Sequence, residues 1–195
     1  MSDIDPQLLL GHRSGLPEDL RYLLERYPRD QWQAHENLGG MAQFWLQRHD
    51  MFRELGGMLT QSVSDYREGQ LEAQPFASFF VPRLQFFLQQ LHGHHQIEDM
   101  HYFPALLKLQ PKLQRGFDIL DRDHHAIHDA LDRFQAGAVG ALNALQAGPD
   151  DPKRPIAEVL EELRRMDRLL DRHLFDEEEI VIPIMLDAGE DSLGL

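Results

Sequence analysis

Three pairs of potential metal ligands recur at a spacing of four residues: His94 with Glu98, His124 with His128, and His173 with Glu177. His49 stands upstream of them. On a helix, residues four apart share a face, so both members of each pair can reach one ion. Five imidazoles and two carboxylates are more ligands than one tetrahedral zinc accepts. They suit two octahedral ions bridged by the carboxylates. The chain has eleven histidines among 195 residues and no cysteine. That excludes disulfides, thiolate zinc sites, all-cysteine iron–sulfur clusters and cysteine nucleophiles.

Such a set needs a scaffold that brings four distant stretches together. Apolar residues step by three and four through residues 31–67, 76–109, 112–147 and 153–187, and no stretch alternates with period two. The pattern predicts helices and no strands. In the last segment Ile156, Val159, Leu163, Met166, Leu170, His173, Glu177 and Ile180 form one stripe, which puts an ionisable pair amid an apolar face. Turn signals at Gly69–Pro75, Gln110–Pro111 and Gly148–Pro155 separate the segments. Four long helices joined by short turns predict an all-α, up-down-up-down four-helix bundle over residues 31–187. Residues 1–30 form an N-terminal extension with one short helix, and residues 188–195 a C-terminal tail.

A shift of 79 residues superposes the first helix pair on the second without a gap. It pairs His49 with His128, His94 with His173, Glu98 with Glu177 and Pro104 with Pro183, the mark of an internal repeat. Counting residues from each ligand centre to the intervening turn gives near-equal lengths on both sides, so antiparallel helices bring all four clusters to one level.

Without a metal the same residues would have to be solvated, because ionisable groups are seldom buried unpaired. His95 and Asp99 share the spacing of four but lie about 100° round the helix, which makes them flanking solvated residues unless they exchange roles with His94 and Glu98. His101 reads as a buried or outer histidine, and Tyr102 as a core residue or a donor to a bridging carboxylate. His12, His35, His92 and His125 read as surface residues, and the run Asp176–Glu179 as a solvated face apart from Glu177. Glu98 and His101 satisfy one Glu-x-x-His motif of a ferritin-like site, but no second such motif occurs. His35–Glu36 lacks the second histidine of a zinc protease.

The chain carries 33 acidic and 19 basic residues, a net charge of −14. There is no net basic field to attract phosphates, so neither a nucleic acid nor a membrane surface is expected as partner. Asp3 and Asp5 stand where a secretory signal carries positive charge, and the expected location is the cytoplasm.

The strings RHDMFREL (Arg48–Leu55), HHQIEDMHYFP (His94–Pro104), DHHAIH (Asp123–His128) and HLFDEEEIVIP (His173–Pro183) resemble the hemerythrin-like, or HHE, cation-binding family over roughly residues 31–187. The resemblance implies a four-helix bundle around a non-haem di-iron centre. His49 and His94 would hold one iron, and His124, His128 and His173 the other, with Glu98 and Glu177 as bridges. Members of the family carry oxygen, sense oxygen or redox state, regulate iron, or handle nitric oxide or peroxide.

The repeat places Trp45 opposite His124, leaving the iron of His49 and His94 one protein ligand short. A small molecule would bind there, with Trp45 and Phe52 keeping out water. The expected function is reversible binding or sensing of dioxygen. A di-iron peroxidase, a nitric oxide-handling enzyme and an iron-homeostasis module are the alternatives.

Overall fold

The computed structural model describes residues 5–147 and 153–194, and every regular element among them is helical. Helix α1 spans Tyr22–Arg26, α2 Gly40–Arg67, α3 Ala73–Ile97, α4 Phe103–Leu109, α5 Gln114–Ala147 and α6 Lys153–Ala188. Among the described residues no helix is long and apolar enough to cross a membrane. The architecture is the all-α helical bundle expected from the periodicity.

The helix ends follow local chemistry. The first long helix starts at Gly40 rather than near residue 31, because Arg29–Ala34 forms a 3-10 turn and Gly39–Gly40 interrupts the pattern. A Cβ at Gly39 would collide with the Glu190 carboxylate, whose Oε1 instead accepts the Ala42 N–H at 2.7 Å and caps α2. At the other end Gly69 takes φ 79°, and the Gln70 N–H reaches the Asp65 carbonyl at 2.8 Å, the hydrogen bond of a Schellman cap. The turn expected at Gly148–Pro155 lies largely outside the described residues.

Between α3 and α4 the chain makes a π-turn over Glu98–Tyr102, closed by the Phe103 N–H on the Glu98 carbonyl. Pro104 follows directly and has no N–H to give the Met100 carbonyl, so the α-helical ladder is broken there in any case. A π-turn rotates less per residue than an α-turn. Residues downstream of Glu98 therefore leave the stripe that regular helix would give them, and His101 is exposed rather than buried.

The helices contribute to two compact units. One comprises Met51–Gly93 and Ile127–Leu170, and aromatic rings run through it: Tyr66 stacks on Phe76 at 4.8 Å, Phe76 on Phe80 at 5.1 Å, and Phe52 meets Phe87 edge-on at 6.1 Å.

The other comprises Met1–Asp50, His94–Ala126 and Asp171–Leu195. Here Leu16, Leu20, Leu23 and Trp32 of the N-terminal arm pack into one core with Trp45, Phe103, Phe117, Leu120 and Ile180. Burying an apolar side chain of this size contributes about 1.5–3 kcal/mol, so the arm is held by its own share of that core.

Phe76 is 1% exposed between two stacked rings. Phe76→Ala should lower unfolding free energy by about 3–5 kcal/mol, measured by urea denaturation.

Candidate metal centre

Two groups of buried side chains meet inside the unit that holds the N-terminal arm. His49, His94, Glu98 and Glu177 form one and His95, His124 and His173 the other, each with its ligand atoms within 4.8 Å of one another. The residues come from α2, α3 with its π-turn, α5 and α6. The two carboxylates reach both groups. Glu98 lies 3.0 Å from His94 Nε2 through Oε1 and 3.6 Å from His124 Nε2 through Oε2. Glu177 Oε2 lies 3.3 Å from His173 Nε2 and 3.7 Å from His49 Nε2.

The outer nitrogens of three histidines are engaged by carboxylates. His49 Nδ1 donates to Glu178 Oε1 at 2.9 Å, and His124 Nδ1 to Asp99 Oδ1 at 2.8 Å. His173 Nδ1 faces Asp123 Oδ2 at 3.4 Å. A carboxylate can only accept, so each Nδ1 carries the proton and each Nε2 can offer its lone pair to the interior. His124 Nε2 and His173 Nε2 are 3.1 Å apart. Two ligands at about 2.1 Å from one ion and at right angles would be about 3 Å apart.

The interior is otherwise unsatisfied. Both oxygens of Glu98, both of Glu177 and Nε2 of His49 are buried with no hydrogen-bond partner among the described residues. Buried carboxylates without donors are costly, and a multivalent cation among these nitrogens and oxygens would satisfy all of them. The donor set therefore fits a metal centre.

Protonation follows from the same crowding. Burial pushes the Glu98 carboxyl well above its ordinary range, and the neighbouring Glu177 charge adds to it. Burial would raise Glu177 too, but the electrostatic pull of the neighbouring His49 and His173 imidazoles overcomes it and holds that carboxyl low. Burial lowers His94 strongly, helped by His49, and lowers His124. Burial alone would also lower His173, yet its bond to Asp123 and the charge of Glu177 raise it to about 9. The His173 ring can then donate Nε2–H to the neutral His124.

The placement departs from the sequence reading at several points. His49, His94, Glu98, His124, His173 and Glu177 converge. His128 does not join them; it is half-buried in the other unit, its ring 5.2 Å from that of His92. His95 takes part instead, fully buried and stacked on His124 at 4.0 Å between ring centroids. Two adjacent histidines on α3 diverge by about 100°, which lets His94 serve one group and His95 the other. A single stripe per helix could not foresee that, although the His94–His95 doublet was its signal.

Asp176, Glu178 and Glu179 are buried rather than solvated. Arg13, Arg29 and Arg21, all from the N-terminal arm, pair with them at 2.7, 2.5 and 3.5 Å respectively. Nothing in the spacing of those arginines marked them. Trp45 is buried with its ring 6.3 Å from His49 and 6.2 Å from His94, while Phe52 lies in the other unit against Phe87. Tyr102 packs on Trp45 at 4.9 Å.

A family model described as hemerythrin HHE cation binding domain matches residues 40–185, three quarters of the chain. The chain belongs to the hemerythrin HHE cation-binding family. Comparison with curated proteins and with solved structures returned no match.

Two predictions follow from this grouping. His95→Ala and His124→Ala should each lower bound metal sharply, whereas His128→Ala and His125→Ala should leave it unchanged by elemental analysis; equal losses at His95 and His128 would refute the grouping. A histidine held at about 9 adds stability that is complete below its unfolded value near 6.5 and is lost as pH rises through 9. The chelator-treated protein should therefore lose roughly 3 kcal/mol between pH 6.5 and 9, and His173→Gln should flatten that slope.

Proposed function

We propose that this centre holds two iron ions, one at each histidine group with Glu98 and Glu177 spanning them, and that the protein binds dioxygen there as a carrier or sensor. The observation that carries the reading is the inequality of the two groups. Three histidines form one and two form the other, and beside the two stands Trp45, the repeat counterpart of His124. Five imidazoles and two carboxylates without thiolate favour a pair of six-coordinate ions, and family membership favours iron among them. A ferrous pair supplies the two electrons that dioxygen takes up on binding.

The surrounding residues leave a donor for a small guest that can accept a hydrogen bond. The Trp45 Nε1–H is buried without an acceptor among the described residues, and a dioxygen molecule on the two-histidine side would give it one. The indole also covers the His49 and His94 rings on that side and limits entry of water. Asp99, Asp123 and Glu178 keep the Nδ1 protons of His124, His173 and His49 away from the interior, so the ligand lone pairs stay aimed inward.

The test is an anaerobic optical spectrum of the iron(II) protein, followed by air and then by argon. A new visible band that appears with air and disappears with argon supports the reading. Catalytic consumption of peroxide or nitric oxide without a stable adduct would replace it with the enzymatic alternative. Trp45→Phe keeps the ring but removes the donor, and should speed autoxidation with iron content unchanged. Trp45→His offers a further ligand and should abolish azide binding while both irons remain. If both variants melt earlier but bind azide and autoxidise like the parent, Trp45 is a packing residue alone.

A further inference from the structure

We infer that the N-terminal arm is a clasp on the metal centre, in which Arg13 and Arg29 are positioning residues that each fix, through a carboxylate, one histidine of one ligand group. The inference rests on the centre being a metal site and is independent of which small molecule binds there. Arg13 is 7% exposed. Its Nε donates to Asp176 Oδ2 at 2.7 Å and its Nη1 to Asp123 Oδ1 at 2.8 Å, while Nη2 bonds the second Asp123 oxygen. That second oxygen faces His173 Nδ1. Arg29 lies between the rings of Trp32 and Phe175, its guanidinium carbon 4.6 and 4.1 Å from their centroids. Its Nη1 donates to Glu178 Oε2 at 2.5 Å, and Glu178 Oε1 receives the His49 Nδ1–H.

His173 belongs to the three-histidine group and His49 to the two-histidine group. Two separate relays of arginine, carboxylate and histidine thus serve the two ions, and both arginines come from a segment that supplies no ligand. Arginine suits the task because its planar fork fixes a carboxylate in two directions at once. Without it the carboxylate can turn. The imidazole then loses the acceptor that orients it, and Nε2 leaves its aim. Loss of such an outer partner lowers metal affinity by about 10–100-fold.

Coupling of this kind is reciprocal: whatever the docked arm adds to metal affinity, bound metal adds to docking of the arm. Occupancy of a buried centre is thereby expressed at the surface, in the hold on residues 5–39.

The experiment titrates the full chain with iron(II) anaerobically against a competing chelator, in the parent and in Arg13→Gln, Arg29→Met and Arg26→Gln. Arg26 is the control, since it lies on the same arm but pairs with Asp187 at 2.8 Å. Arg29→Met and Arg13→Gln should each weaken one of two equivalents by about 10–100-fold and leave the other near the parent value, with Arg26→Gln unchanged. Trypsin should cut the arm of the parent more slowly with iron(II) than without.

Melting of the metal-free proteins separates folding from binding. If Arg13→Gln fails to fold, Arg29→Met carries the test, because that side chain is 37% exposed. A variant at Arg29 that melts earlier but binds both equivalents like the parent overturns the clasp, as does equal weakening by Arg26→Gln. A parent chain that binds no iron(II) would instead overturn the metal reading itself.

Discussion

Six carboxylates are buried among the described residues: Glu98, Asp123, Asp176, Glu177, Glu178 and Glu179. No helical bundle tolerates that much negative charge in its interior without matching cations. Four of the six have an arginine: Asp123 and Asp176 share Arg13, Glu178 has Arg29 and Glu179 has Arg21. Glu98 and Glu177, at the centre, are left facing imidazoles. The outer carboxylates are neutralised by arginines of the same chain, and the inner pair is left in a donor set that fits a metal.

This division explains why the scaffold departs from a plain repeat of helix hairpins. A symmetric pair of hairpins would put the same ligands on both sides, and the 79-residue shift does so for His94, His173, Glu98 and Glu177. Symmetry breaks where the two groups must differ. Trp45 replaces a histidine, His95 enters from the neighbouring face of α3, and the π-turn at Glu98 has no counterpart within α6. A wider turn at Glu98 lets its carboxylate sit inward while the following residues keep their own packing.

Much of the fold was legible because helix periodicity and turn residues are local properties. The four long helices, the turn at Gly69 and the convergence of six of the seven expected donors are legible in the spacing. What escaped depends on azimuth and on distance along the chain. One stripe per helix leaves His95 off the shared face, whereas two donor groups side by side draw on two adjacent faces of α3. The burial of Asp176, Glu178 and Glu179 does not show in the sequence because their partners, Arg13, Arg29 and Arg21, lie about 150 residues away and carry no motif.

That distance has a consequence for how the chain is made. Arg13 meets Asp176 across 163 residues, and His49 meets Glu178 across 129. At a synthesis rate of about 5–20 residues per second, the first half of the centre precedes the second by roughly ten seconds. His49, His94 and Glu98 leave the ribosome as an incomplete chelate, with two of their charge partners still untranslated. The C-terminal helix therefore acts as a keystone. Until it is released, the arm has no carboxylates on that helix to grip and His173 and Glu177 are missing from the two groups, so the order of translation keeps the centre unfinished until α6 emerges.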